Sequence, residues 1–196
     1  MKTVGVVLAG GLSRRFGSPK AFACFGTGYF YERAIDALKP FCEEVIVVTR
    51  EELLERFPPG VTTMTDFSEV AGLGPLAGIF SVMESVEADF YAVLPCDMPY
   101  VDTSIMNEIR KLHQGSVTAV LASGNYHPLV SIWGKELKKP ILDALENEQL
   151  SVMKFLKNLD VNWINGSSLI ENEKHVFTNI NMPSDLERGR GYGSDS

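Results

Sequence analysis

Residues 3–20 read TVGVVLAGGLSRRFGSPK, and the fold follows from how the apolar half of this stretch gives way to its glycine-rich half. Val4, Val6, Val7 and Leu8 are β-branched or aliphatic and almost continuous. That is the pattern of a strand covered on both faces, as in a parallel α/β sheet, rather than the alternation of a half-exposed strand. The loop from Leu8 to Lys20 therefore leaves the end of an interior strand. Gly10, Gly11 and Gly17 carry no Cβ, so backbone N–H groups can close on an anion, and Arg14, Arg15 and Lys20 can neutralise a polyphosphate. A Gly/Ser/Pro cluster is also what an ordinary solvated turn looks like. Neither of two common phosphate motifs fits. There is no G-x-G-x-x-G, Gly11 and Gly17 are too far apart for a P-loop, and Ser18 and Pro19 precede the lysine.

The chain of 196 residues is long enough for one α/β domain with its own core, and no linker-like stretch divides it. A single domain over residues 1–190 is expected, with a disordered tail, GYGSDS, over 191–196. A formal charge of -7 argues against a general nucleic-acid surface, so the basic first loop stands out locally and suits a small anionic ligand. No secretory signal is visible and no stretch reaches the ~18 apolar residues of a membrane span. A soluble cytoplasmic protein without membrane contact is expected. Cys24, Cys42 and Cys96 lack the paired spacing of a zinc site or a disulfide framework and read as reduced thiols, Cys96 as a small buried residue rather than a nucleophile.

Beyond the loop, Tyr29 to Leu38 has helical apolar spacing with Pro40 after it, and Val45 to Thr49 is again β-branched. Strand, helix and strand at this length predict a parallel βαβ unit with its two strands side by side. Glu51 to Phe57 reads as a short polar helix and Val61 to Met64 as a third strand, with Asp66 just past it. Residues 71–78, AGLGPLAG, form a second glycine-rich turn into a helix from near Pro75 to Ser85. Gly78 suits either close helix–sheet packing or ligand contact. Phe90 to Leu94 reads as a central strand ending in Pro95, Cys96, Asp97, Met98 and Pro99. Ligands of open α/β sheets bind beyond the carboxyl ends of strands, so Asp97 can face the same crevice as the first loop, where a hard carboxylate oxygen suits Mg²⁺. Considered alone, an Asp there equally suits a turn or cap. Asp102 or Thr103 caps the next helix, which ends near Leu112.

Val117 to Ala122 and Leu129 to Trp133 predict an antiparallel pair around a loop at 123–128, and hence a mixed sheet. His127 in that loop reads as structural or as a substrate contact. Lys135 to Glu148 has helical spacing with Pro140 kinking or restarting it, Ser151 caps a further helix, and Val161 to Ile164 is a short strand before a polar loop. Phe177 to Asn181 leads through Pro183 into a terminal helix with Asp185 and Glu187 early and Arg188 and Arg190 late, as its dipole favours.

The LAGG-x-S-x-R-x-G loop with its lysine is shared by nucleotidyltransferases and sugar-nucleotide pyrophosphorylases in general. Its ordered combination with GPLAG, CDMP, His127-Pro128 and the run Asn179, Ile180, Asn181, Met182, Pro183 resembles the molybdenum cofactor guanylyltransferases over almost the whole chain. The resemblance implies a Rossmann-like three-layer αβα sandwich with a mostly parallel, mixed sheet, of the nucleotide-diphospho-sugar transferase type. It implies transfer of GMP from GTP to Mo-molybdopterin, giving molybdopterin guanine dinucleotide and pyrophosphate with Mg²⁺ as cofactor. By resemblance, Leu8, Ala9 and Gly10 supply nucleotide-contacting backbone, and Lys20 contacts nucleotide and phosphate. Asp66 contacts nucleotide, Gly78 belongs to the substrate-binding set, and Asp97 is the metal ligand. Arg15 matches the signature arginine and joins Lys20 and Asp97 as catalytic, while Asn179 and Asn181 lie on the pterin side. Transient contact with molybdoenzymes or cofactor-delivery proteins fits such an enzyme.

Three positions depart from the family pattern. Met182 stands for the usual Thr, Ser184-Asp185 replaces an acidic pair, and Thr49 lies near a nucleotide-binding Asn of some members. Competing readings are a cytidylyltransferase acting on molybdopterin, a sugar-phosphate nucleotidyltransferase, and a non-enzymatic nucleotide-binding protein that delivers cofactor. Transfer to a phosphate that is already anionic needs no Ser, Cys or His nucleophile.

Overall fold

The computed structural model describes residues 1–11, 16–182 and 184–185. Arg14 and Arg15, Pro183, the expected terminal helix beyond Asp185 with Glu187, Arg188 and Arg190, and the tail at 191–196 lie outside the described residues.

Strand β1 (Thr3–Leu8) runs into the first loop, Lys20–Phe22 makes one 3-10 turn, and a small hairpin β2 (Cys24–Phe25) and β3 (Gly28–Tyr29) precedes helix α1 (Phe30–Leu38). Sequence patterning does not announce that hairpin, whose strands have only two residues each. The Glu32 carboxylate accepts from the Tyr29 N–H at 2.7 Å and so closes the first turn of α1. Strand β4 (Glu44–Val48) pairs parallel with β1, as the βαβ reading requires. After a 3-10 stretch at Glu51–Arg56, where a short helix was expected, β5 (Thr62–Met64) pairs parallel with β4. Helix α2 (Pro75–Ser85) begins at its proline, whose missing N–H costs nothing in the first turn. Strand β6 (Phe90–Pro95) pairs parallel with β1 on its other side, and Asp102 caps helix α3 (Thr103–Lys111) by accepting from the Ile105 N–H at 3.0 Å.

Strands β7 (Val117–Ala122) and β8 (Asn125–Gly134) form the expected antiparallel pair, but β8 starts four residues before Leu129. The expected loop shrinks to Ser123 and Gly124, both with positive φ (49° and 77°), the twist a two-residue hairpin needs. His127 and Pro128 therefore lie in a strand. A register shift between Ala119 and Val120 takes the partner from Ser131 to His127, leaving Pro128, which has no N–H to donate, off the ladder. Pro140 falls in the first turn of α4 (Lys138–Glu146), after a 3-10 turn at Lys135–Leu137, so the helix restarts there. Helix α5 (Val152–Leu156) is capped by Ser151, and β9 (Val161–Asn165) pairs parallel with β7. The expected polar loop then contains helix α6 (Glu173–Val176), fixed by a tertiary contact: the Glu173 carboxylate accepts from both the N–H and the hydroxyl of Ser123, each at 3.1 Å.

The seven-stranded sheet has the order β5-β4-β1-β6-β8-β7-β9, with β8 its one reversed strand. Alternate residues of each strand enter opposite cores. Val7, Val47 and Leu94 pack with α1 and α3, while Val4, Val6, Val48 and Val93 pack with α2, α4 and α5. This is the three-layer αβα sandwich with a mixed, mostly parallel sheet.

Candidate active site

The strand order reverses direction about β1, with β4 on one side and β6 on the other, and such a switch point opens a crevice at the carboxyl ends of the strands. The crevice here has a volume of 1530 Å³, beyond the ~300–1,000 Å³ typical of a pocket for one small ligand, so it has room for two substrates side by side.

Three segments far apart in sequence meet at its centre. The Lys20 ammonium lies 2.9 Å from Asp97 Oδ2 and 2.7 Å from Asn181 Oδ1. Lys20 is fixed by the 3-10 turn that follows Pro19, Asp97 by the turn leaving β6, and Asn181 by backbone ties. The Ile180 N–H donates to the Asp97 carbonyl at 2.8 Å, and the N–H groups of Asn181 and Met182 both donate to Asp185 Oδ2 at 2.9 Å. Asp185 thus holds the terminal motif in shape where the sequence departs from the family pattern. The side chains of Lys20 and Asp97 are only 15% and 20% exposed, so their charges are screened less than those of a surface pair. Two hard oxygen donors gathered around one cation are the donor chemistry that a hard divalent ion uses. Among the described residues there is no group of three or more His, Cys, Asp or Glu that could hold a metal by itself.

On the β4 side, Leu8, Ala9, Gly10 and Gly11 line the crevice, with the Ala9 N–H donating to the Val48 carbonyl at 2.8 Å. Asp66 also lines it. Burial pushes its carboxyl above the usual value, against the Gly72 N–H, which donates to it at 3.3 Å and pulls it down. Gly78 provides the close helix–sheet packing. It lines the crevice, and a Cβ there would sit 3.0 Å from Leu8 Cδ2, 3.2 Å from Val48 Cγ1 and 3.5 Å from Asp66 Oδ1. The absence of a side chain lets α2 come down onto β1 and β4, with Asp66 at ordinary contact distance.

On the β8 side the lining comprises Tyr126, His127, Pro128, Leu129 and Val130, with Asn179 and Asn181 close to Asp97. The His127 ring is tilted against Phe177 at 5.6 Å; burial holds its pKa below the ordinary histidine value, with the Glu173 charge acting the other way. Cys96 is buried, and burial, then the Asp97 charge, pushes its thiol up to about 12, which removes it as a nucleophile near neutral pH.

Lys20, Asp66, Gly78, Asp97, Asn179, Asn181 and the Leu8–Gly10 backbone are thus brought to one crevice, while Arg15 lies outside the described residues. Arg50 belongs to no motif in the sequence, and Thr49 stands out there only as a departure. Both line the crevice, and the Thr49 hydroxyl and Arg50 Nε are buried without a hydrogen-bond partner. A signal for them exists in the sequence, because they follow the carboxyl end of a parallel strand just as Asp97 does.

Residues 5–162 match the family model described as a MobA-like NTP transferase domain. A probable molybdenum cofactor guanylyltransferase from Geobacillus sp. (strain WCH70) is 36% identical over 190 residues, covering 95% of this chain and 97% of that protein. One from Bacillus subtilis (strain 168) is 33% identical, covering 95% and 94%. Among solved structures, molybdopterin-guanine dinucleotide biosynthesis protein A from Archaeoglobus fulgidus superposes with a TM-score of 0.78 at 21% identity, covering 96% of this chain and 97% of that one. The 2-C-methyl-D-erythritol 4-phosphate cytidylyltransferase from Thermus thermophilus gives 0.70 at 14%, covering 97% and 98%. These two structures share the fold.

Proposed function

The chain belongs to the MobA-like NTP transferase family, and on that premise we propose that it transfers GMP from GTP to Mo-molybdopterin, releasing pyrophosphate and forming molybdopterin guanine dinucleotide. The observation that carries the reading is the meeting of Lys20, Asp97 and Asn181 at the centre of a crevice large enough for donor and acceptor together.

The nucleotide takes the β4 side, where Gly10 and Gly11 admit phosphate close to backbone and the Asp66 carboxylate accepts hydrogen bonds from guanine, whose N1–H and N2–H₂ are donors. The acceptor phosphate lies on the β6 and β8 side near Asn179 and Asn181. An oxygen of that phosphate attacks the α-phosphorus of GTP in line. The new P–O bond forms as the α–β anhydride bond breaks, and pyrophosphate leaves with the electron pair. Lys20 leaves Asp97 and Asn181 to neutralise phosphate charge, and Arg15 of the signature loop adds a second cation. Asp97, with Asn181 beside it, would hold Mg²⁺, which would lend positive charge to the phosphate oxygens. The acceptor is already an anion, so the reaction asks for no proton-abstracting base and no side-chain nucleophile, in keeping with the high pKa of Cys96.

The test is to incubate the protein with GTP, CTP, ATP or UTP in turn, each with Mg²⁺ and molybdopterin, and to follow pyrophosphate release and dinucleotide formation. GTP is expected to be preferred. A preference for CTP, or turnover only with a sugar phosphate as acceptor, overturns the assignment.

A further inference from the structure

Tyr126 is 52% exposed, the most exposed large apolar side chain among the described residues apart from Met1, yet it is not adrift on the surface. It lines the crevice, and its ring meets that of Trp163 at 4.6 Å and 67°. Trp163 comes from β9, across β7: Leu121 is the partner of Tyr126, and Ala119, two residues back on the same strand, is the partner of Trp163. The tryptophan is itself partly buried against the core beneath α4 and α5, so it is a fixed buttress. A ring held in this way before a ligand arrives loses little conformational freedom on binding.

Its position in the sheet says what it can reach. Asp66 follows β5 and Tyr126 opens β8, and β4, β1 and β6 stand between those strands. The Asp66 carboxylate reaches in beside Gly78, next to Leu8 of β1 and Val48 of β4, and from β1 two further steps of ~4.8 Å, roughly 10 Å, lead across β6 to β8, so Asp66 and Tyr126 stand at different ends of the crevice. The phosphate-facing residues Gly10, Gly11, Lys20 and Asp97 lie between them, at the ends of β1 and β6. Among the described residues that line the crevice, the aromatic ones are Tyr126 and His127, and both are on β8. A nucleoside at the Asp66 end leaves the aromatic end for a second flat ring system whose phosphate points back toward Asp97.

We propose that Tyr126, braced by Trp163, is the stacking platform for the fused pterin ring of the acceptor. This rests on the guanylyltransferase reading given above. A ring face in contact with an aromatic side chain is worth about a tenfold change in affinity or more, and stacking tolerates variation at the ring edge.

The experiment measures steady-state transfer with GTP and molybdopterin varied separately, alongside equilibrium binding of metal-free molybdopterin read by its own fluorescence. Tyr126→Ala is expected to raise KM for molybdopterin about tenfold and to weaken binding of the metal-free pterin in parallel, while KM for GTP does not follow. Tyr126→Phe, which keeps the ring, recovers most of the loss, and Trp163→Ala gives a smaller loss of the same kind. An active protein whose molybdopterin KM is unmoved by Tyr126→Ala, or whose GTP KM rises equally, overturns the stacking role and leaves the guanylyltransferase reading standing. A wild-type protein that makes no dinucleotide from GTP and molybdopterin overturns that reading and the stacking role with it.

Discussion

On the β5-β4-β1 side of the crevice the lining is rich in small residues, with Leu8 to Gly11 on one flank, Gly72, Gly74 and Gly78 on the other, and Asp66 and Arg50 among them. On the β6-β8 side the lining residues carry larger polar and aromatic side chains: Asp97, Tyr126, His127, Asn179 and Asn181. The first side consists of parallel strands, whose ends all deliver their loops to the same edge, and glycine lets those loops close on a ligand through main-chain groups. The second side exists because β8 runs backwards and brings the start of a strand to an edge otherwise made of strand ends.

The largest expected effect lies on the seam between the halves. Asp97→Asn keeps the shape but removes the charge that pairs with Lys20 and that the proposed Mg²⁺ site requires, and transfer is expected to fall by about 10²–10³-fold or more in a pyrophosphate-release assay at saturating GTP. Near-normal turnover at limiting Mg²⁺ would take Asp97 out of that role.

Within the nucleotide half, Asp66→Asn is expected to weaken GTP about 10- to 100-fold, the size of a lost hydrogen bond to a charged group, with molybdopterin KM unmoved. Because burial raises the Asp66 pKa, the carboxylate acceptor is lost on acidification at a higher pH than for an ordinary Asp. GTP affinity should decline as the pH falls into that range, and Asp66→Asn should remove that part of the pH profile. Gly78→Ala pushes a methyl group to 3.0 Å from Leu8 Cδ2; a stability loss of about 1–3 kcal/mol by urea denaturation is expected, with a rise in GTP KM and none in molybdopterin KM. If Gly78→Ala moved the two KM values together, the division into halves would fail.

The smallest effects concern groups outside the chemistry. Cys96→Ala should leave turnover within about twofold while costing about 1 kcal/mol of stability, since its thiol is buried and protonated. Burial also holds His113 and His127 below the ordinary histidine value of 6.5. Below that pH the unfolded chain binds protons that the folded chain resists, so stability should fall from pH 7 toward pH 5. His113→Asn, far from the crevice, should make that slope shallower in thermal melts without changing either KM.

The sheet is legible in the sequence to the extent that its strands are apolar and continuous. Thr3–Leu8, Glu44–Val48 and Phe90–Pro95 are interior strands whose composition announces them, and Pro75, Asp102 and Ser151 mark helix starts through local chemistry. Residues 125–128 read as a loop because Asn, His and Pro are turn residues, and only pairing with β7 makes them strand. Helix α6 is hidden for a similar reason, as the contact of Glu173 with Ser123 spans 50 residues. Motifs supply Lys20, Asp66, Asp97, Asn179 and Asn181 one at a time, but not Arg50 or Tyr126, which belong to no motif quoted for the family.

By itself the sequence determined the α/β class, the glycine-rich loop after an interior strand and the family resemblance, because periodicity, turn chemistry and motif spacing are local properties. Only the tertiary structure decided that Lys20, Asp97 and Asn181 share one point, that Gly78 brings α2 against Leu8 and Val48, and that Tyr126 leans on Trp163. Those contacts join residues up to 161 positions apart, and strand order and register, which set them, are fixed by burying both faces of the sheet at once rather than by any stretch of chain alone.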